Sequence, residues 1–212
     1  MSELAVATPE FAVVGVEPEP TAATPLLLFT VQVTDESGLE IYTIALTAQV
    51  QLDADRRAYD PATRGRLQDL FGEAARLPAT VGPLQIGRVA TMVPSFTGAG
   101  RFTLALPISA DLELAAARYL ASLPDGTAPL TFNFNGTIFY AGADERLQVT
   151  LVPWSCFARY RLPVSVWHGL VEQRHAGCGF VRLQPETLEL LRRRRVERGL
   201  ASLDATISEA LR

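Results

Sequence analysis

Histidine and cysteine are the side chains best suited to metal or nucleophilic chemistry, and this chain has two of each. Cys156, His168, His175 and Cys178 all fall in one short stretch. Thiolate and imidazole are natural zinc or nickel ligands. The spacing predicts that His175 and Cys178 share a helical face, but no Cys-x-x-Cys or His-Glu-x-x-His pair anchors them. A nucleophilic Cys156–His168 pair would also need an orienting acid and an oxyanion hole, and the sequence points to neither. The four residues stand as candidate metal ligands. The plainer reading is two part-buried cysteines and two surface histidines.

Other chemistry is excluded by what the chain lacks. It contains no lysine, which rules out a P-loop lysine and a Schiff-base lysine. It has no dinucleotide glycine fingerprint and no Gly-x-Ser-x-Gly elbow. Gly98-Ala99-Gly100 reads as a tight turn between strands. The carboxylate pairs Asp53/Asp55 and Asp144/Glu145 sit at turn positions, where solvated turns explain them. The expectation is a protein that is not an enzyme and carries no cofactor.

Two features suit binding. Trp154, Phe157, Tyr160 and Trp167 form an aromatic stretch. They read either as a helix and its lead-in packed on a sheet, or as anchors for a partner, since Trp and Tyr are enriched at binding hot spots. Arg192-Arg193-Arg194-Arg195, with Arg198, is the sharpest charge feature. Arginines near a helix C-terminus favour the macrodipole; they also suit an acidic protein surface or nucleic acid. Trp154, Tyr160, Trp167 and Arg192 to Arg195 are the candidate partner-binding residues.

The elements that must position these residues are mostly strands. Phe11 to Val16 is short and apolar, ended by Pro18 and Pro20. Leu27, Phe29, Val31 and Val33 alternate with Leu28, Thr30 and Gln32. Asp35-Glu36-Ser37-Gly38 then reads as a hairpin loop. Ile44 to Leu52 gives the cleanest period-two run. Asp60 and Pro61 open a helix with Leu67, Leu70 and Phe71 on one face. Ile86 to Val93 and Phe102 to Ile108 resume the strands. Asp111 opens a short helix with Leu112, Ala115, Ala116, Tyr119 and Leu120. Leu130, Phe132 and Phe134 precede a bulge or tight turn at Asn135-Gly136. Leu147, Val149 and Leu151 make the last strand. After Pro153 the pattern turns helical, with helices around Trp167, from Pro185, and from Ser202, and a stop at Gly199. The fold class is mainly β with α: an antiparallel β-sandwich or curved sheet with inserted short helices and a helical C-terminal tail.

The charge supports two regions. Residues 1–152 carry nine arginines against seventeen acids, and residues 153–212 carry ten against six. This predicts a β-rich sandwich-like domain over 1–152 and a helical region over 153–212. An acidic body disfavours nucleic acid and anionic membrane. No apolar run reaches the roughly 20 residues that span a bilayer. Few cysteines and no basic, apolar N-terminal segment lead us to expect a cytoplasmic protein. The oligomeric state is left open.

Two resemblances add to this reading. Phe180-Val181-Arg182-Leu183, Pro185-Glu186-Thr187-Leu188, Gly199, the Ser202 cap and Glu209-Ala210-Leu211 resemble a ribbon-helix-helix unit, which implies a DNA-binding regulator. That family sets polar ribbon side chains in the major groove; here only Arg182 lies centrally. Over nearly its full length, the chain also resembles a bacterial family often encoded beside high-affinity, oxygen-tolerant uptake nickel–iron hydrogenases. The residues that carry this likeness are Tyr59-Asp60-Pro61, Leu70-Phe71-Gly72, Met92 to Gly98, Ala115 to Leu120, Gly136 to Tyr140, Val152-Pro153-Trp154 and Tyr160 to Trp167. The resemblance implies a protein-binding accessory or assembly factor whose partner is a hydrogenase subunit or maturation factor. The alternatives are the DNA-binding regulator and a metal carrier using the Cys/His cluster.

Overall fold

The computed structural model describes residues 6–19, 21–22, 24–71, 83–108, 116, 118–142, 145–174 and 183–212. The chain divides into two compact units, residues 1–174 and 175–212. Among the described residues, the first unit is built on nine strands: β1 (Glu10–Glu19), β2 (Leu26–Thr34), β3 (Glu40–Leu52), β4 (Leu84–Val93), β5 (Phe96–Thr97), β6 (Ala99–Pro107), β7 (Thr127–Ala141), β8 (Leu147–Leu151) and β9 (Phe157–Pro163). Its helices are α1 (Pro61–Phe71), α2 (Arg118–Ser122) and α3 (Val164–Arg174). All the strand pairs are antiparallel.

The hydrogen-bonded order is β1-β2-β6-β5-β3-β7-β8, with β4 also on β3 and β9 also on β7. This sheet folds into two layers. Phe29 of β2 meets Phe132 of β7 with ring centroids 5.0 Å apart, and Phe11 of β1 meets Phe134 of β7 at 4.6 Å. Neither pair belongs to neighbouring strands, so β1-β2-β6 faces β4-β3-β7. The short β5, which pairs with both β3 and β6, joins the layers at Gly98, whose φ is +70°.

Alternation places the core between the layers. Leu27, Phe29, Val31 and Val33 of β2 and Ile44, Leu46, Ala48, Val50 and Leu52 of β3 are all buried. Their partners in sequence are half-buried or exposed, as a sheet with one wet face requires. The period-two runs are therefore correctly read as strands of a sandwich-type, mainly β protein without a closed barrel. The N-cap of α1 is also as expected: the Asp60 carboxylate accepts the Thr63 N–H at 2.8 Å and the Thr63 hydroxyl at 2.7 Å, and both bonds hold its pKa below the usual value.

Three expectations require correction. Asp35 to Gly38 is not a hairpin loop, because β2 pairs with β1 and β6 whereas β3 pairs with β4, β5 and β7. The turn is an arch between layers. It is fixed by the buried Asp35 carboxylate, which accepts Thr8 N–H at 2.7 Å, Ser37 N–H at 3.1 Å and the Ser37 hydroxyl. Asn135-Gly136 is not a turn either: β7 runs through it in unbroken register with β3. Gly136 is there because a Cβ would lie 2.1 Å from the Ala45 carbonyl oxygen. Finally, β8 is not the last strand. β9 pairs Thr127–Asn133 of β7 with Pro163–Phe157, and α3 follows in the same unit. The sheet thus continues past Pro153.

In the second unit, α4 (Pro185–Glu197) and α5 (Leu203–Ala210) form a helical hairpin. Gly199 turns the chain with φ +63°, and Ser202 caps α5 by accepting Ala205 N–H at 3.0 Å. The Gly199 stop and the Ser202 cap are as the sequence leads one to expect. Ribbon residues 180–182, the stretch around Asp111 to Ala115, and Gly72 lie outside the described residues.

Candidate interaction surface

The aromatic stretch separates into residues with different roles. Trp167 on α3 is 4% exposed and belongs to the hydrophobic core, so it is a packing residue and not an anchor. Tyr160 on β9 is half-buried against Phe29, with ring centroids 5.9 Å apart. Burial raises its pKa. Its ring is committed to the sandwich, as the packed reading required. Phe157 is half exposed and carries the Arg159 guanidinium over its ring at 5.2 Å.

Trp154, in contrast, is 96% exposed. Local register explains this. β8 and β9 both run antiparallel to β7 along the same edge, β8 against Thr137–Ala141 and β9 against Thr127–Asn133. Between them, Val152–Cys156 must fit opposite Phe134–Gly136. The longer segment bulges. It is pinned at both ends, by Val152 N–H to Gly136 O at 3.0 Å and by Phe134 N–H to Cys156 O at 3.0 Å. A turn from Cys156 N–H to Pro153 O, also 3.0 Å, closes it. Trp154 lies at the tip of this turn.

Beside the knuckle, β8 has its amphipathic pattern inverted. Leu147, Val149 and Leu151 are 60%, 55% and 71% exposed. Their register partners on β7 are Ala141, Phe139 and Thr137, so these side chains share the outer face. Gln148 and Thr150 pair with Tyr140 and Ile138, both buried in the core. The polar side chains of β8 are therefore on the inner side of the sheet, Gln148 still exposed and Thr150 half-buried, and the apolar ones face water. Registers extend the outer row from Leu151 through Thr137 and Ala45 to Met92, which is 60% exposed. The rows towards the other end are polar: Gln49 pairs with both Arg88 and Asn133, and its amide donates to Gln85 at 3.1 Å. The outer face thus carries an apolar patch over the half of β7 that pairs with β8, bordered by the mid-strand bulge that bears Trp154. Contiguous exposed apolar surface of this kind marks interaction sites.

The remaining candidates have other local settings. In α4, Arg192 and Arg193 lie 4.0 and 3.5 Å from the Glu189 carboxylate. Arg194 and Arg198 converge on Glu209 of α5 at 3.6 and 3.5 Å. Arg195 is exposed on the same helix. Arg194 and Arg198 thus tie the two helices together and Arg192 and Arg193 pair within α4, although exposed pairs contribute little each. Cys156 is part-buried, with Sγ 3.4 Å from the Pro9 carbonyl oxygen that it donates to. Burial, and then the Glu10 charge, raise its pKa, which disfavours the thiolate that a metal site or nucleophile needs. His168 is exposed on α3. His175 and Cys178 lie outside the described residues. Among the described residues no group of three or more His, Cys, Asp or Glu could hold a metal ion, and no helix is long and apolar enough to cross a membrane.

Sequence reasoning missed the inverted face of β8. Its signal was present: Leu147, Val149 and Leu151 alternate with Gln148 and Thr150. Alternation alone assigns the apolar side to the core, and only the register reveals that it points outward.

Comparison with solved structures finds distant likenesses. One is the solution structure of a protein assigned to the late embryogenesis abundant (LEA) class, 15% identical, with TM-score 0.34, covering 74% of this chain and 72% of that one. Another is a crystal structure of a protein described as ApaA from Bordetella pertussis, 10% identical, with TM-score 0.30, covering 76% and 96%. Neither likeness carries an argument about function at these scores. Comparison with curated proteins gives no match. A family model matches residues 6–212, and the chain therefore belongs to the family of unknown function DUF6084.

Proposed function

We propose that this protein is a non-catalytic, cytoplasmic binding factor that docks a protein partner on the outer face around Trp154. The observation that carries the reading is the exposure of Trp154, 96%, at the tip of a pinned bulge beside the outward-facing Leu147, Val149 and Leu151. A rigidly presented indole costs little entropy to bind, and such residues dominate interface energetics. The resemblance to the family encoded beside uptake nickel–iron hydrogenases names a hydrogenase subunit or maturation factor as the partner in this proposal. The DNA-binding and metal-carrier readings have less support. Arg192, Arg193, Arg194 and Arg198 lie near Glu189 or Glu209, and burial raises the pKa of the Cys156 thiol.

The test is a tagged pull-down from the native host, with mass spectrometry of co-eluting proteins, comparing wild type with Trp154→Ala. Recovery of a hydrogenase component by wild type, lost in the folded variant, supports the reading. A prey-free wild-type pull-down sinks a stable complex.

A further inference from the structure

The open edge of β8 has a property that identifies its occupant. Gly142 N–H bonds Arg146 C=O at 2.8 Å, and Val152 N–H bonds Gly136 C=O at 3.0 Å. In an antiparallel ladder, residues that bond a neighbour recur at every second position. With the observed register, the even-numbered residues of β8 face β7. The backbone N–H and C=O groups of Leu147, Val149 and Leu151 therefore point away from it. Among the described residues, β8 pairs with β7 alone.

Within β8 this edge lacks two of the common protections, charge and proline. Strand edges are normally blunted by charge, proline or an inward-pointing charged side chain. Leu147-Gln148-Val149-Thr150-Leu151 has no charged residue and no proline; Arg146 and Pro153 stand just outside it. We infer that two copies of the chain pair β8 to β8, antiparallel, about a two-fold axis through Val149. In this register Val149 faces Val149 of the second copy, and Leu147 faces Leu151 of the second copy. Every outward N–H and C=O of the three residues then finds a partner. A shift to another register leaves some of them open and sets Leu or Val against a non-matching neighbour. The strand is thus complementary to itself, as an isologous interface requires. The pairing is free of like-charge opposition, since neither strand carries a charge.

The same register brings Trp154 of each copy to the Glu145-Arg146 end of the other strand. Paired edges of five residues each stay below the roughly 1,200 Å² lower bound of specific interfaces. The dimer is accordingly weak, with dissociation expected on the order of micromolar concentrations. Pairing leaves the row through Ala45 and Met92 open and joins the outer faces of the two copies into one platform. The role of that platform, though not the dimer itself, rests on the docking function proposed above.

The test is analytical ultracentrifugation of the full chain from about 1 to about 500 µM, a span that brackets a micromolar constant. Wild type is expected to pass from monomer to dimer. Val149→Pro removes one edge-facing N–H but no bond to β7, a position where proline is tolerated. It should remain monomeric with an unchanged circular dichroism spectrum. Val149→Cys, with Cys156→Ser and Cys178→Ser, provides a second readout. Paired residues in a hydrogen-bonded antiparallel site lie about 5.5 Å apart between Cα atoms, within disulfide reach. Oxidation should crosslink Val149→Cys into dimers, whereas Leu151→Cys, which faces Leu147 of the second copy, should not crosslink. A chain monomeric across the range, or Leu151→Cys crosslinking as readily as Val149→Cys, would overturn the inference. A monomer that still captures its prey refutes only the dimer. A dimer that captures none refutes only the docking function.

Discussion

The two tryptophans are the only ones in the chain, and the structure assigns them opposite fates. Trp167 is 4% exposed, within a core that includes Val164, Leu170 and Leu162. Its replacement by alanine removes a buried indole and leaves a cavity, a loss of about 3–5 kcal/mol. In a unit of this size each kcal/mol moves the melting temperature by about 2–4 °C, so the expected fall is on the order of 10 °C. Trp154 is 96% exposed, and Trp154→Ala should change stability by less than about 0.5 kcal/mol. Each variant keeps a single tryptophan, so fluorescence reports each site in isolation. The Trp154→Ala protein, which retains Trp167, should emit at short wavelength and resist acrylamide quenching. The Trp167→Ala protein should emit as a hydrated indole and quench readily. Urea melts followed by circular dichroism give the two stabilities. A Trp154→Ala loss above about 2 kcal/mol, or a neutral Trp167→Ala, would refute the assignment of one anchor and one packing residue.

Three further outcomes follow from the same geometry. Gly136→Ala forces a Cβ towards the Ala45 carbonyl oxygen, where the ideal position lies 2.1 Å away; overpacking of this kind costs about 1–3 kcal/mol, visible as a lower urea midpoint. Tyr59 donates to the Ala54 carbonyl at 2.5 Å and meets the Tyr119 hydroxyl at 2.7 Å, and burial raises the pKa of both tyrosines. Because the unfolded chain releases those protons first, their contribution is complete below about pH 10 and is lost as pH rises through the folded values. Stability should therefore fall above about pH 10, less so in Tyr59→Phe, as urea melts across that range would show. In a Cys178→Ser background, Cys156 should react with a disulfide reagent near pH 8 more slowly than a model thiol, because burial raises its pKa; a faster reaction would contradict that environment.

Local chemistry was the part of the fold most legible in the sequence. The alternation in β2 and β3, the Asp60 and Ser202 caps and the Gly199 stop all follow from backbone geometry and side-chain periodicity. Pairing was less legible. Asp35 to Gly38 has the residues of a tight turn, but turn chemistry reverses a chain without choosing which strands it joins. β9 was hidden by arginines and aromatics that suggested a helical lead-in, although Ala158, Tyr160 and Leu162 do alternate with Phe157, Arg159 and Arg161 across its two faces. The candidate surface was legible only in its residue types. Trp154 and Trp167 look alike in sequence, and what separates them is the fit of Val152–Cys156 opposite Phe134–Gly136. That is a property of two ladders on one edge of β7, and no local pattern encodes it.

The central claim is that Trp154 and the apolar face beside it receive a protein partner. It is tested most directly by quantitative mass spectrometry of wild-type and Trp154→Ala pull-downs from the native host, run with both proteins at equal melting temperature. The account predicts a hydrogenase component enriched on wild type and reduced at least tenfold on the variant, the effect of about 1.4 kcal/mol at a hot spot. Equal recovery on both proteins would place the partner elsewhere and contradict the account.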